Sequence, residues 1–386
     1  MISPHLFQRV LHPAVLSQAM SLLLSLALIA ALTRLLPASG YAAYSAFAAV
    51  WAIGNAIVGT GLGTSVARDV ARGSNRISLK ISDLITIFTA SLGVCFYSIL
   101  AGHPIVISIL GGLNMVGFIA LEVVLSALLG QKRLWLYFAC LVVRLGIPVA
   151  LVLTASMAVD VDLTTALFAV FIGNCFVFVL RVRNVRIVRS RVSSSYGVQV
   201  GIINFCLWFI AGFDKIFFEQ AIEPVAAAGY ALVYGLLDKG FRSLSNIVIT
   251  GKLGDALGGK GTRLGFKFYV ATFVMAVCSV PLALLFANVI SAGRYSLDVG
   301  AICMIALGLM CMTWATPSYL ELLSRDRLTL TSILALSIAA VNGVLVAGLA
   351  PEIGYFAGAL GSALCYLLWF LWCRYETKRL AAGYGS

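Results

Sequence analysis

Twelve apolar runs, each long enough to cross a bilayer, leave this chain little room to be anything but a bundle of membrane-spanning helices. They are Ala14–Leu36, Tyr41–Leu62, Ile81–Leu100, Ile105–Leu129, Leu134–Ala155, Leu163–Leu180, Val198–Phe218, Val225–Thr250, Phe266–Ala287, Val299–Leu320, Leu328–Leu349 and Tyr355–Trp372. A bilayer core takes roughly 20 apolar residues per helix. The runs are too long for buried strands and none alternates with period two, which excludes a membrane β-barrel. Only 11% of the 386 residues are charged and mean hydropathy is +1.02, so a soluble surface of this size could not be covered. The expected fold class is an all-α polytopic membrane protein of about 12 transmembrane helices. The first run is too long for a signal-peptide core and no small-residue cleavage site follows it, so it reads as a retained first helix.

The loops between runs alternate in charge. Loops after the second, fourth, sixth, eighth and tenth runs, with both termini and Lys267 at the very start of the ninth run, hold 21 of the 27 lysines and arginines. The opposite loops hold Arg294 and carry Asp160, Asp162, Glu219, Glu223, Asp298 and Glu352 instead. Basic residues are retained on the cytoplasmic side, so the chain is expected in a cytoplasmic (inner) membrane, multi-pass, with both ends in the cytoplasm. The net charge of +12 is therefore read as topology, and no nucleic-acid partner is implied. The longest basic segment, Arg181–Arg191, sits near the middle as a linker. It divides the chain into an N-terminal six-helix bundle with its basic linker, 1–190, and a C-terminal six-helix bundle, 191–386. Gly40-Tyr41-Ala42 and Gly229-Tyr230-Ala231 lie 189 residues apart and open the second and eighth runs, which suggests a parallel repeat.

Charges inside the runs are the informative residues, because each costs several kcal/mol unless it faces a partner or a polar interior. The eighth run holds Asp238, Lys239 and Arg242 near its midpoint. Tyr230, Tyr234, Asp238, Arg242 and Asn246 recur at spacing four, a polar stripe in which Asp238 and Arg242 share a face. It reads as a cavity lining or as a structural ion pair between helices. Arg144 lies within the fifth run, four residues before Pro148; Glu122 is in the inner half of the fourth. Asp214 and Lys215 sit toward the outer end of the seventh, where the lysine could instead snorkel. Arg34 reads as an interface anchor, and Ser17, Ser21 and Ser25 as a helix-packing stripe. Counting Arg34, Arg144, Lys215, Lys239 and Arg242 against Glu122, Asp214 and Asp238, the interior is net cationic, which suits an anionic cargo. Arginine binds phosphate bidentately and lysine as a point charge. Arg144, Lys215, Lys239 and Arg242 are thus candidate phosphate ligands; Asp238, Asp214 and Glu122 are candidate coupling or ion-pair carboxylates.

All nine cysteines fall in apolar runs or, for Cys373, directly at the end of one, with no CxxC pair, and the three histidines are scattered, so neither a disulfide framework nor a metal site is expected. No catalytic constellation and no nucleotide-binding loop appears, so neither an enzyme nor a cofactor is expected.

Four segments carry a family resemblance: Arg34-Leu35-Leu36 with Gly40-Tyr41 and Tyr44, Gly61-Leu62-Gly63 with Arg68, Gly130-Gln131-Lys132-Arg133, and Asp214-Lys215 followed by Gly229-Tyr230-Ala231. With the twelve-helix, short-loop plan, the chain resembles the Wzx-type polysaccharide and O-antigen repeat-unit flippases of the MOP (MATE-like) exporter superfamily. That resemblance implies two six-helix bundles around a central cavity, working by alternating access. It implies flipping of a polyprenyl-pyrophosphate-linked oligosaccharide, undecaprenyl by analogy, for surface polysaccharide or lipopolysaccharide biosynthesis. The implied partners are that lipid-linked oligosaccharide, the lipid bilayer, and a polysaccharide polymerase with glycosyltransferases. A MATE-like cation-coupled antiporter for drugs or other small molecules is the alternative within the superfamily, although its usual early-helix carboxylate is missing from the first run. A membrane-embedded polysaccharide polymerase is the alternative from another class, although the outer loops here are very short.

Overall fold

The computed structural model describes residues 13–71, 77–131, 133–181, 185–188, 195–257, 264–324 and 328–382. Among them are thirteen helices and two short strands. In chain order these are α1 (Pro13–Leu35), α2 (Ala38–Ile57), α3 (Gly59–Ala71), β1 (Ile77–Lys80), α4 (Ile81–Leu100), α5 (Ile105–Gly130), α6 (Leu134–Ala155), α7 (Leu163–Arg181) and β2 (Val185–Val188). There follow α8 (Ser195–Ala221), α9 (Pro224–Leu257), α10 (Phe266–Ser291), α11 (Val299–Ser324), α12 (Thr329–Ile353) and α13 (Phe356–Ala382).

Each apolar run becomes helix because, in lipid, only an intra-segment hydrogen-bond ladder satisfies the backbone. The ends follow local chemistry. Pro224 opens α9, where its missing N–H costs nothing. Asp162 caps α7, its Oδ1 accepting from the Thr165 N–H at 2.8 Å and the Thr165 hydroxyl at 2.7 Å. α10 closes through left-handed Ala292 and Gly293, where the Gly293 N–H donates to the Asn288 carbonyl at 2.8 Å.

Among the described residues nine helices, rather than twelve, are long and apolar enough to span a membrane: α1, α4, α5, α6, α8, α10, α11, α12 and α13. The expectation of twelve in two six-helix bundles is corrected to that extent. The second run is broken at Val58 into α2 and α3, the latter amphipathic and only 13 residues long. α7 offers only the shorter apolar segment Leu163–Val179. α9 is long at 34 residues but carries the polar stripe within it.

The second departure from an all-α chain is a two-stranded parallel sheet. β1 pairs with β2 in the register Ile77↔Val185, Ser78↔Arg186, Leu79↔Ile187 and Lys80↔Val188. Both strands fall in segments that the sequence presents as basic loops, and the pairing brings those two loops together. Residues 189–194, and with them the expected boundary at 190/191, lie outside the described residues, as do Arg72, Arg76, Lys132, Arg183, Lys260, Arg263, Arg325 and Arg327.

Two compact units result, Met1–Phe205 and Cys206–Ser386, with the division inside α8. In the first, α5 is central: α2, α3, α4, α6 and α7 all pack on it, and α1 packs on α6. In the second, α11 is central, receiving α9, α10 and α13, with α12 on α13. The order of neighbours is shared. α2–α3 meets α5 as α9 meets α11, α4 meets α5 as α10 meets α11, α5 meets α7 as α11 meets α13, and α6 meets α7 as α12 meets α13. Close approaches repeat at nearly the same interval. A Cβ at Gly117 would lie 3.1 Å from Asn174 of α7, and one at Gly308, 191 residues later, would lie 2.9 Å from the Ala363 backbone of α13.

Candidate functional site

Most charged residues of the spans fall into one group in each unit. In the second unit the group is built by α8, α9 and α13. Asp214 is completely buried on α8. Its Oδ2 accepts from the Tyr230 hydroxyl of α9, and its Oδ1 accepts from the Lys215 backbone N–H at 2.7 Å. The Lys215 ammonium lies 3.7 Å from Asp214 Oδ1, donates to the Ala211 carbonyl, and stands 3.6 Å over the Tyr234 ring. It is thus held by a carboxylate, a carbonyl and an aromatic face inside the bundle, which overturns the reading in which it snorkels outward.

One turn deeper along α9, Arg242 Nε donates to both Asp238 oxygens, at 2.7 and 2.8 Å. The guanidinium carbon lies 3.7 Å from the centre of the Trp208 ring of α8. Nε carries the whole pairing, so the outer edge of the guanidinium is not spent on Asp238. Nη2 is buried with no hydrogen-bond partner among the described residues. Tyr366 of α13 closes the group, its hydroxyl donating to the Leu207 carbonyl at 3.3 Å. Two acids and two bases leave it neutral.

The stripe at spacing four therefore places Tyr230, Tyr234, Asp238 and Arg242 together. Asn246 does not continue it: four residues fall 40° beyond one turn, and Asn246 is exposed. Lys239 is turned about 100° from Asp238 around the helix and is half-buried. Trp208 and Tyr366 were not singled out from the sequence. Trp208, Ala211 and Lys215 at helical spacing on α8 could have pointed to the first; nothing in the sequence marks the second.

In the first unit the group lies on α2, α5 and α6. The Arg144 guanidinium is 4.2 Å from the centre of the Phe118 ring. Its charged and polar neighbours are Glu122, Tyr137 and Tyr44, and Asn55 lies beside Glu122. Phe118 stacks on Trp51, whose indole N–H donates to the Gly111 carbonyl at 3.0 Å. Arg34 is exposed at the end of α1, and Ser17 and Ser25 are buried in the helix that packs against α6.

No protein-family model and no curated protein matches this chain. Solved structures do. An outward-facing multidrug resistance MATE family transporter of the MOP superfamily aligns with a TM-score of 0.57 at 13% identity, over 95% of this chain and 94% of that one. A MATE point mutant aligns with a TM-score of 0.55 at 14% identity, over 96% and 95%. A MOP superfamily transporter from Pyrococcus furiosus, described for the reversed polarity of its binding pocket, aligns with a TM-score of 0.52 at 12% identity, over 96% and 94%. The chain is a multi-pass helical membrane protein with the MATE/MOP fold.

Proposed function

We propose that this chain is a membrane transporter, not an enzyme, that works by alternating access, with 1–190 and 191–386 as its two six-helix bodies. The observation that carries this reading is the buried charge of the second unit, set on a fold shared with solved transporters. A scaffold gains nothing from two carboxylates and two cations in membrane-spanning helices, each costly there. A transporter needs groups that exchange partners as the cargo or a coupling ion arrives. The pairing of β1 with β2 supports a common side for two basic loops, consistent with an inner-membrane protein having both ends in the cytoplasm.

The fold likeness favours the MATE-like, cation-coupled small-molecule antiporter. In that reading Asp214 and Asp238 are the coupling carboxylates. An incoming cation or proton displaces Lys215 from Asp214, or Arg242 from Asp238, and frees the base. Flipping of an undecaprenyl-pyrophosphate-linked oligosaccharide, served by glycosyltransferases and a polymerase, is a second reading. It is favoured by the open edge of Arg242, with Lys215 and Lys239 nearby in sequence as further phosphate ligands. Arg144 and Glu122, expected as another phosphate ligand and another coupling carboxylate, belong to the group in the first unit.

Proteoliposomes holding the purified chain test both. Antiport predicts uptake of a lipophilic cation driven by an imposed proton or sodium gradient and abolished by Asp238→Asn. Flipping predicts that a fluorescent polyprenyl-pyrophosphate glycolipid becomes accessible to a quencher in the opposite leaflet, with the rate lowered by Arg242→Ala. Absence of both fluxes at verified protein levels would remove the transporter reading.

A further inference from the structure

A groove opens on the outside of the first unit, between the starts of α5 and α7. It has a volume of about 510 Å³ and is lined by Val106, Ile109, Leu110, Thr164, Thr165 and Phe168. Deeper along the same two helices, close contacts hold them together. Asn114 Nδ2 donates to the Leu167 carbonyl at 2.9 Å, and a Cβ at Gly117 would lie 3.1 Å from Asn174. The groove begins beside that tie, at Leu110 and Phe168, and reaches toward the helix starts. Val106, Ile109 and Phe168 are exposed, so one side stands open. The lining is apolar in effect: the Thr165 hydroxyl donates to Asp162 Oδ1 at 2.7 Å and the Thr164 hydroxyl is also bonded to Asp162, so neither threonine adds an unpaired polar group.

The surroundings of the groove decide what fills it. α5 is long and apolar enough to span a membrane, and Leu163–Val179 of α7 is apolar throughout. An open apolar groove between such helices faces hydrocarbon, and the molecule at hand to fill it is an acyl chain. Val106 to Leu110 covers about 6 Å of helix rise. A chain lying there keeps its headgroup at the helix starts, beside the loops Ala101–Pro104 and Ser156–Asp162. Those loops hold Asp160 and Asp162 and no lysine or arginine. Both aspartates are exposed. Two carboxylates at the mouth repel an anionic headgroup and attract an ammonium, and an exposed carboxylate accepts hydrogen bonds from ammonium N–H groups. A second copy docked through the same face would set these carboxylates against their own images, which disfavours it as the occupant. We propose that this groove is a binding site for a phospholipid of the ethanolamine class, with an acyl chain along Val106, Ile109, Leu110 and Phe168 and the primary ammonium at Asp160 and Asp162. The lipid is a resident partner rather than cargo, and the site stands whether the chain antiports small molecules or flips a glycolipid.

The test uses the full chain in detergent micelles and a phosphatidylethanolamine that carries a photoreactive diazirine on one acyl chain. After irradiation, peptide mass spectrometry locates the label, which is expected on the segments 105–110 and 163–168. Unlabelled phosphatidylethanolamine, phosphatidylcholine and phosphatidylglycerol with identical chains then compete for those segments. The ethanolamine lipid is expected to displace the probe at a concentration about tenfold lower than the glycerol lipid, the worth of a hydrogen bond to a charged group, with the choline lipid between them. Asp160→Asn with Asp162→Asn keeps the cap of α7, because asparagine caps as well as aspartate. It should leave the label in place and shrink the tenfold preference to about threefold or less. Asp160→Asn alone lies outside the cap; it should shrink the preference in the same direction and carries the result if the double variant fails to fold. Label confined to other segments would overturn the proposal. Equal displacement by all three lipids would also overturn it, in favour of unselective boundary lipid. The same holds for a choline lipid as potent as the ethanolamine lipid, a glycerol lipid more potent than either, or a preference untouched in both variants. A disulfide-linked dimer formed in membranes by Ile109→Cys and not by the parent chain would overturn it in favour of a second copy.

Discussion

Removing Asp238 and Arg242 together should destabilise the protein by less than the sum of the two single removals. The pair is compact, with Nε at 2.7 Å from Asp238 Oδ1 and side chains only 19% and 16% exposed. Arg242→Ala leaves the Asp238 carboxylate without its counter-charge in a poorly solvated place and uncovers Trp208. Breaking a buried pair from one side costs about 3–5 kcal/mol. The double variant Asp238→Ala/Arg242→Ala has no stranded charge, so a favourable coupling of about 2–3 kcal/mol should appear in the cycle. Arg242→Lys keeps the cation but loses the planar contact with Trp208 and the Nε geometry; it should cost about 1–2 kcal/mol. Reversible unfolding of the purified chain in bicelles measures all four species. An Arg242→Ala loss below about 1 kcal/mol, or a double variant costing the sum of the two singles, would refute the reasoning. Either result would mean that water already solvates the pair and that the ion pair does not hold α9 in place.

Gly308→Ala should loosen the second unit by about 1–3 kcal/mol, because its Cβ would lie 2.9 Å from Ala363 Cα and 3.1 Å from Ala363 N, and backbone cannot step aside. Gly93→Ala, with nothing within 4 Å, should be neutral or slightly stabilising in the same unfolding assay. At the cap of α7, desolvation pushes the Asp162 carboxyl upward, but the hydrogen bonds from the Thr165 hydroxyl, the Thr165 N–H and Thr164 outweigh it and hold the group below the usual carboxylate range. Its stabilisation is therefore present above the unfolded carboxylate pKa and fades as pH falls through the lower folded value. Asp162→Ala should cost about 1 kcal/mol near neutrality and match the parent chain in strong acid, as followed by thermal unfolding against pH. Cysteines at 78 and 186, which are register partners, should be joined by a short thiol cross-linker in inverted vesicles and stay unlabelled by an impermeant maleimide in intact cells. Labelling of either from outside would overturn the topology.

Hydropathy alone determined that the chain is helical and lies in a membrane, because the bilayer demands a continuous apolar run and an internal backbone ladder wherever the chain crosses. The pairing of Asp238 with Arg242 was also legible, since residues four apart on a helix must meet. The faces carrying Tyr44 and Asn55, Phe118 and Glu122, and Tyr137 and Arg144 were equally present as spacings of four, seven and eleven, but spacing within one helix does not say which helices converge. Helix packing decided that Lys215 stands over Tyr234 rather than reaching for the interface, that Trp208 backs Arg242, and that Arg144 faces Glu122 across helices without pairing to it. It also sorted the charges into one group in each unit, where composition offered only a single cationic sum. The sheet was faintly written in the apolar–polar alternation of Ile77-Ser78-Leu79-Lys80, yet four residues with no hairpin partner cannot announce a pairing more than a hundred residues away. Contacts of that kind come from the stacking of whole helices, whose order a one-dimensional pattern does not contain.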